Sequence, residues 1–271
     1  MLKKLAVMFT TFTFLLSVNS VNAKAQPVKS PPVNLQEQNT MSVLWFQKAG
    51  EAKALYYQGY NIGKMRLDEF LNNKISSKGL KPAVVLDIDE TILDNSPYQA
   101  WNVMKNKDLT WNKWIQNTEG KLLPGALDFL KYADSKGVAI FYISNRKEAQ
   151  KEATIKNLLN VGAPQADVEH VLLKQPNEQG KEIRRRQVAK THEIVLLFGD
   201  NLGDFSGFDG LTVAERLQAV DRHKEQFGKK LIVFPNPMYG DWEGAIYNYN
   251  YRKSDDEKAK FRKENLMPVK P

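Results

Sequence analysis

Residues 81–94 carry the sequence KPAVVLDIDETILD, in which a short apolar run is followed at once by two aspartates. The run 83–86 is apolar at every position, which is typical of a strand that is buried on both faces of a sheet. Asp87 and Asp89 stand where that strand should end. Ligands bind outside the carboxyl ends of the strands in an open parallel sheet. We therefore expect this stretch to deliver two carboxylates to a binding site.

Four more apolar runs follow along the chain, and helix-length segments lie between them. The runs cover 138–143, 171–173, 194–198 and 231–234, and the segments cover 125–136, 148–159, 178–190 and 213–226. Gly137 stands where a glycine commonly ends a helix, just before the second run. Continuous apolar strands that alternate with helices predict an α/β fold, with a parallel sheet covered by helices on both faces.

The N-terminal residues have the composition of an export signal. Lys3 and Lys4 precede the apolar stretch 5–18, and the small-residue pattern Val21-Asn22-Ala23 follows it. A membrane span needs about 20 apolar residues, so this shorter stretch favours a cleavable signal peptide over residues 1–23. We expect cleavage after Ala23 and a secreted or periplasmic protein.

The rest of the chain is predicted to form a linker and one domain. Residues 24–40 are polar and contain three prolines, which predicts a flexible linker. Residues 41–271 then form the domain, with a core of about 81–94 and 124–235. A small helical cap is expected from about 41–75, 95–123 and the C-terminal segment.

Residue counts exclude several kinds of site. The chain has no cysteine, so a disulfide, a cysteine-ligated zinc, a thiol nucleophile and a lipid-anchoring cysteine are all excluded. Its three histidines lie far apart, and a histidine-rich metal site is not expected. The formal charge of +8 leaves open an exported protein that binds anionic polymers. The run Arg184-Arg185-Arg186 lies in a predicted helix and is interpreted as a solvated face.

Polar side chains follow four of the five apolar runs, at the edge of the sheet where they should converge. In chain order they are Asp87 and Asp89, Ser144, Lys174, and Asp200 with Asp204. Clustered carboxylates repel one another unless a cation lies among them, and oxygen ligands suit Mg²⁺. Lys174 and the Ser144 hydroxyl could then hold a phosphate, and a carboxylate could attack its phosphorus. This set of residues predicts a phosphoryl-transfer site.

The same motifs, in this order, resemble those of the haloacid dehalogenase superfamily of hydrolases. More narrowly, IDETILDNSPY at 88–98 and FGDNL at 198–202 are similar to the bacterial class C acid phosphatases, the lipoprotein e family of 5′-nucleotidases. Further similar stretches are EAKALY at 51–56, YISNR at 142–146 and PNPMYGDWE at 235–243. The likeness extends from about residue 41 to residue 263, and it implies a Rossmann-like core with a small cap.

The resemblance implies a role for each matching residue. Asp87 would be the nucleophile and a metal ligand, and Asp89 the general acid and base, with its backbone carbonyl also on the metal. Asp200 would complete the metal ligands, with Asp204 supporting the metal shell and Lys174. Phosphate binding is implied for Thr91, Ser144, Asn145 and Lys174, and stacking on the ring of the substrate for Trp111 and Tyr239.

The function implied is that of an acid phosphatase with one Mg²⁺ per subunit. Its substrates would be phosphomonoesters, nucleoside monophosphates among them, cleaved through an aspartyl-phosphate. No nucleic-acid partner is expected, and a homodimer is left open. Many relatives carry a lipid-anchoring cysteine that this chain lacks, so no membrane anchor is expected after cleavage. Two alternatives stay open, namely the binding of anionic polymers and a sugar-phosphate phosphatase on the same fold.

Overall fold

The computed structural model describes residues 34–73, 79–104 and 109–269. The predicted signal peptide and most of the predicted linker lie outside the described residues. Within these ranges, none of the helices combines the length and the apolar composition that crossing a bilayer requires.

Five of the strands form one parallel sheet, as the sequence predicts. The strands are β1 (Lys81–Leu86), β2 (Leu93–Asp94), β3 (Lys121–Leu122), β4 (Ala139–Lys147), β5 (Val171–Lys174), β6 (His192–Gly199) and β7 (Leu231–Val233). The order across the sheet is β5-β4-β1-β6-β7, so β1 is the central strand. In register, Val85 of β1 lies between Phe141 of β4 and Leu197 of β6. Each of the five predicted apolar runs is confirmed as a strand of this sheet.

Helices cover both faces of the sheet and also form the connections at its ends. The helices among the described residues are α1 (Thr40–Lys48), α2 (Gly50–Asn72), α3 (Ser96–Val103), α4 (Trp111–Asn117), α5 (Ala126–Ser135), α6 (Lys151–Asn160), α7 (Glu182–Ala189), α8 (Val213–His223), α9 (Asp241–Ile246) and α10 (Asp255–Glu264). Helices α5 to α8 match the four predicted segments. Gly137, with a φ of +70°, ends α5 as expected.

Alternate residues of β1 enter two apolar clusters, one on each face of the sheet. Val84 and Leu86 belong to the larger cluster, with residues of α2 and α5. Ala83 and Val85 belong to the smaller cluster, which Val188 of α7 helps to form. Because these four side chains are all buried, the run 83–86 needs an apolar residue at every position.

Helix α2 packs on the sheet, which differs from the predicted assignment of 41–75 to the cap. The ring of Tyr60 lies 5.8 Å from that of Phe198 and 4.7 Å from that of Phe234. Its hydroxyl donates a hydrogen bond of 2.7 Å to the carbonyl of Thr91, in the loop after β1. The apolar spacing of α2 predicted an amphipathic helix, but the spacing does not say which layer that helix covers.

The described end of the predicted linker is a folded part of the domain. Residues Leu35–Asn39 form a 3₁₀-helix whose Leu35 side chain is buried. Nη1 of Arg262 in α10 donates to the carbonyl of Leu35 at 3.2 Å and to Oε1 of Gln38 at 3.0 Å. The predicted linker 24–40 is therefore too long at this end, and α10 contacts this 3₁₀-helix.

The segment 95–123, which was predicted to be part of the cap and is called the insertion from here on, follows one of two short paired strands and includes the other. β2 and β3 are antiparallel, with Leu93 opposite Leu122, and α3 and α4 lie in the chain between them. The Thr110 hydroxyl accepts a hydrogen bond from the N–H of Lys113 and caps the start of α4. Because β2 follows the loop after β1 directly, this insertion is held close to the carboxyl end of the central strand.

Glycine at position 63 allows α2 to approach the sheet, and this close approach can be tested. A Cβ atom at Gly63 would lie 2.5 Å from Cζ of Phe198 and 3.1 Å from Cε2 of Phe129. We expect Gly63→Ala to lower the free energy of unfolding by about 1–3 kcal/mol through overpacking, offset in part by the better helix propensity of alanine. The control is Gly50→Ala, where a Cβ meets nothing within 4 Å. Equal stability of the two variants in urea unfolding would contradict the close packing.

Candidate active site

The loop after β1 turns tightly and places two carboxylates at the edge of the sheet. The N–H of Asp87 continues the sheet pairing and donates to the carbonyl of Phe198 at 3.0 Å. The carbonyl of Ile88 accepts from the N–H groups four and five residues further on, at 2.9 and 2.8 Å. Asp87 and Asp89, on either side of Ile88, both line a cavity of about 310 Å³.

Three carboxylates meet at this edge around one lysine. Oxygens of Asp87, Asp200 and Asp204 all lie within 4.8 Å of one another. The ammonium of Lys181 forms ion pairs with Asp87 and with Oδ1 of Asp204, the latter at 2.6 Å. Asp87, Lys181 and Asp204 are buried, while Asp200 is half-buried. Two strand ends and the residue just before α7 thus supply the charges of one cluster.

Burial and mutual repulsion shift the ionisation of this cluster. Burial raises the pKa of Asp87 to about 7, although Lys181 acts in the opposite direction. Burial, followed by the charge of Asp204, raises the pKa of Asp200 as well. For Lys181, burial acts to lower the pKa, but the charges of Asp204 and Asp87 outweigh it and the pKa is raised. One ammonium therefore faces three carboxylates, and an oxygen-only donor set with this excess of negative charge fits a hard divalent cation.

The lysine that contacts the carboxylates is Lys181, so the prediction that Lys174 lies at this site is wrong. Lys174 ends β5 opposite Lys147 of β4, and it is not among the residues that line the cavity. The chain leaves the sheet after β5 and returns to the carboxylates just before α7. An apolar run marks where a strand ends, but it does not mark where a loop returns, and this is why the sequence pattern pointed to Lys174.

Asp89 is held by three side chains, and the sequence analysis assigned only one of them, Ser144, to the site. Arg146 is buried, and its Nε and Nη2 atoms donate to Oδ1 of Asp89 at 3.0 and 2.7 Å. The Ser144 hydroxyl donates to Oδ2 of Asp89 at 3.1 Å, and Nδ2 of Asn95 donates to Oδ1 at 2.8 Å. Ser144 thus lies in the cavity as predicted, in contact with Asp89. The sequence offered two signals for Arg146, namely its place two residues after Ser144 and its inclusion in the YISNR stretch at 142–146.

The other predicted phosphate-binding residues, Thr91 and Asn145, differ in position. Thr91 is fully buried, and its hydroxyl donates to Oδ2 of Asp87 at 3.3 Å. Thr91 does not line the cavity, where a phosphate would bind. Its contact is instead with Asp87, the predicted nucleophile. Asn145 is exposed and lines the cavity, and its Oδ1 accepts from Nη2 of Arg184 at 3.0 Å.

The run of arginines in α7 is largely buried, which corrects its interpretation as a solvated face. Arg184 pairs with Glu178 at 3.0 Å and donates to the carbonyl of Ser144 at 2.5 Å. Arg185 donates to the carbonyl of Asp204 at 2.9 Å. Only Arg186 of this run is exposed. The first two arginines therefore brace strand ends that carry site residues.

Aromatic side chains form the walls of the cavity above the carboxylates. Trp111 of the insertion and Tyr239 of the loop after β7 both line it, as predicted. The rings of Trp111 and Tyr98 meet edge to face at 5.2 Å. The indole N–H of Trp242 donates to the carbonyl of Tyr239 at 3.1 Å and holds that loop. The cavity thus combines a charged floor with flat apolar walls.

Known proteins that are similar to this chain include acid phosphatases. The family model described as HAD superfamily, subfamily IIIB (Acid phosphatase) matches residues 7–242. The class C acid phosphatase from Bacillus anthracis is 58% identical, with a TM-score of 0.84, over 88% of this chain and 100% of that chain. A second structure of that protein, with tungstate bound, gives a TM-score of 0.85 at the same identity and coverage.

A curated plant protein is a more distant match. Acid phosphatase 1 from Solanum lycopersicum is 27% identical over 165 residues, which are 57% of each chain. This chain therefore spans somewhat over half the length of that relative. The family and the fold expected from the motifs are confirmed by these comparisons together.

The raised pKa of Asp87 leads to a prediction about cation binding. Below pH 7 a cation must displace the proton from this carboxyl, so its affinity should fall as the pH falls. For one displaced proton we expect up to about 10-fold weaker binding of a divalent cation per pH unit between about pH 7 and pH 5.5. Isothermal titration calorimetry in two buffers of different ionisation enthalpy measures both the affinity and the protons released. Affinity that is independent of pH, without proton release, would contradict the prediction.

Proposed function

The chain belongs to subfamily IIIB of the HAD superfamily, the acid phosphatases, and we propose that it is an exported, Mg²⁺-dependent phosphomonoesterase whose substrates include 5′-nucleotides. Its family places it among the phosphoric monoester hydrolases. The observation that carries the proposal is the cluster of Asp87, Asp200 and Asp204 around Lys181, at the floor of a cavity with aromatic walls. Tungstate is an oxyanion like phosphate, and its binding to the Bacillus anthracis relative supports an anion site here.

The carboxylates of Asp87 and Asp200 would hold the cation, with the backbone carbonyl of Asp89 as a further predicted ligand. Asp204 would support them, since its Oδ1 pairs with Lys181 and its Oδ2 accepts from the N–H of Asn201 at 2.9 Å. When bound, Mg²⁺ would offset the charge of the phosphate and of the attacking carboxylate. Asn236 donates to Oδ2 of Asp200 at 2.7 Å, which leaves the other oxygen of that carboxylate for the ion. Oxygen ligands alone suit Mg²⁺, and the proposal of this ion over other hard divalent cations rests on that chemistry.

Asp87 is proposed to attack the phosphorus. Lys181 binds one of its oxygens and Thr91 the other, so the carboxylate is fixed in orientation. Its attack forms an aspartyl-phosphate and releases the alcohol, and water then hydrolyses this intermediate. The ammonium of Lys181 lessens the repulsion between the anionic carboxylate and the anionic ester.

Asp89 is proposed to supply the proton that the leaving alkoxide needs, and then to take a proton from the attacking water. It lies two residues from Asp87 and lines the same cavity. Its oxygens accept hydrogen bonds from Arg146, Ser144 and Asn95. An oxygen that carries the proton cannot accept all of these bonds, so the carboxyl must exchange a partner during the reaction.

The walls of the cavity favour substrates with a flat ring. A base stacked on an aromatic side chain gains about 1–3 kcal/mol without its identity being read. Trp111 and Tyr239 come from separate parts of the chain and line one cavity with the carboxylates. We therefore propose nucleoside 5′-monophosphates as a substrate class, with broad acceptance of the base.

Export is proposed from residues 1–23 alone, whose charged start, apolar stretch and small-residue cleavage pattern are those of a signal peptide. With no cysteine to carry a lipid, the cleaved chain would be released into the periplasm or the medium. The homodimer stays a prediction of the sequence analysis.

The nucleophile is tested by Asp87→Asn, which keeps the size of the side chain and removes its charge. We expect the turnover of p-nitrophenyl phosphate to fall at least ~10³-fold, because a neutral amide cannot attack phosphorus. The control is Asp221→Asn, which removes an exposed carboxylate on α8. Thermal unfolding of both variants checks that the fold is retained. A folded Asp87→Asn variant with near-normal turnover would exclude the covalent mechanism.

The aromatic walls are tested by Trp111→Ala and Tyr239→Ala. We expect each to raise the KM for adenosine 5′-monophosphate by about 5- to 100-fold, the equivalent of the lost stacking, while the KM for glycerol 2-phosphate changes little. Trp101→Ala is the control, since Trp101 lies on the insertion, is 36% exposed and does not line the cavity. An equal loss on both substrates would mean that the rings are structural, and the nucleotide proposal would fail.

A further inference from the structure

Asn95 is a buried residue whose side chain connects the insertion to Asp89. Its Nδ2 donates to Oδ1 of Asp89 at 2.8 Å, and its Oδ1 accepts from the indole Nε1 of Trp114 at 2.7 Å. The side chain is fully inaccessible to solvent. Trp114 lies on α4, so one amide group joins this helix to the loop that follows the central strand.

The position of Asn95 makes this use of its side chain unusual. It is the N-cap residue of α3, where an asparagine oxygen commonly accepts from the first turn of the helix. Within the described part of the chain, Thr110, Thr212 and Ser254 cap their helices in this way, whereas Asn95 accepts no such bond from α3. The amide is turned instead toward Asp89 and Trp114, so the local helix does not account for it.

We propose that Asn95 is a positioning residue that sets the orientation of the Asp89 carboxyl and couples it to the insertion through Trp114. The inference rests on the proposed function, in which Asp89 delivers a proton to the leaving group. It adds a role for two residues, Asn95 and Trp114, that do not themselves touch the reacting atoms.

The hydrogen-bonding partners of Asn95 determine which end of its amide faces Trp114 and which end faces Asp89. An asparagine side chain has a donor end and an acceptor end, and the indole N–H of Trp114 can only donate. The acceptor end of Asn95 must therefore face Trp114, and its donor end must face a carboxylate. Oε2 of Glu90 lies 3.4 Å from the same Nδ2 and favours the same orientation.

Glu90 fixes the backbone that carries this amide. Its Oε1 accepts from the N–H of Asn95 at 2.7 Å, and its side chain is completely buried. Glu90 itself has a φ of +56°, a left-handed conformation that is uncommon for a residue other than glycine. The Tyr56 hydroxyl of α2 binds its carbonyl. Such a conformation persists only where the surroundings hold it, and here they hold Asn95 beside Asp89.

The donors of Asp89 come from two sides. Arg146 and Ser144 belong to β4 in the sheet, whereas Asn95 lies at the start of the insertion. Without the amide of Asn95, the sheet side alone would hold the carboxyl. Tyr98 and Trp111 of the insertion line the cavity in which the leaving group would lie, so a carboxyl drawn toward β4 would be displaced from that group. A small displacement of a proton donor has a large effect on rate.

The test compares two esters that differ in their need for a proton. p-Nitrophenolate leaves without one, whereas the alkoxide of glycerol 2-phosphate needs one. We expect Asn95→Ala to lower kcat/KM at least ~10-fold more for glycerol 2-phosphate than for p-nitrophenyl phosphate. We compare kcat/KM because this ratio reports only the steps up to and including departure of the leaving group. The later hydrolysis of the aspartyl-phosphate does not affect it.

Trp114→Phe gives a second variant that removes only the N–H donor and keeps an aromatic ring. We expect the same selective loss at about 3-fold, since the amide loses one of its bonds. Trp101→Phe is its matched control and should leave both kcat/KM values unchanged. If Asn95→Ala does not fold, Trp114→Phe decides the question.

Two results would overturn the inference while leaving the proposed function intact. One is an equal loss on both esters, which would make Asn95 a structural residue. The other is unchanged kcat/KM in folded variants. If the unmodified protein hydrolyses neither ester, it is the proposed function that fails, and the two failures are therefore distinguishable.

Discussion

Repulsion among buried carboxylates is the constraint that organises this molecule. Asp87, Asp200 and Asp204 have oxygens within 4.8 Å of one another, and isolated charges at such depth are costly. Lys181 compensates only part of that charge through its ion pairs with Asp87 and Asp204. The central strand, the end of β6 and the start of α7 must all meet at one point to supply these groups. The remaining negative charge suits a divalent cation, so the same feature that costs stability equips the site for phosphate chemistry.

Two asparagines connect the charged floor of the cavity with its walls. Asn95 links Asp89 to the insertion, and Asn236 plays a similar part on the other side. Its Nδ2 donates to Asp200 at 2.7 Å, while its Oδ1 accepts from the N–H of Met238 at 2.9 Å, in the loop that carries Tyr239. Each wall is therefore joined to a carboxylate by one amide. The walls that would contact the leaving group of a substrate are thus fixed in position relative to the carboxylates that would act on its phosphate.

The sequence predicted the sheet and the carboxylates well, for a physical reason. A strand buried on both faces must be apolar throughout, so β1 and the residues that follow it can be recognised without any knowledge of contacts. The same reasoning placed the lysine at Lys174, because a strand end is visible in the pattern and the return of a loop is not. It also left Arg184 on the surface, since a run of charges gives no sign of its partners Glu178 and Ser144. Contacts between residues far apart in the chain, such as Lys181 with Asp87 and Arg184 with Ser144, are not visible in the sequence pattern.

The proposed mechanism requires a covalent bond between Asp87 and phosphorus, and this intermediate can be trapped. Borohydride reduces an acyl phosphate to an alcohol, so quenching the protein with it during turnover should convert Asp87 to homoserine. Peptide mass spectrometry of the segment around 81–94 would locate the change. We expect homoserine at position 87, only with substrate present, and not in Asp87→Asn. Homoserine at another aspartate, or none while turnover proceeds, would contradict the covalent role of Asp87.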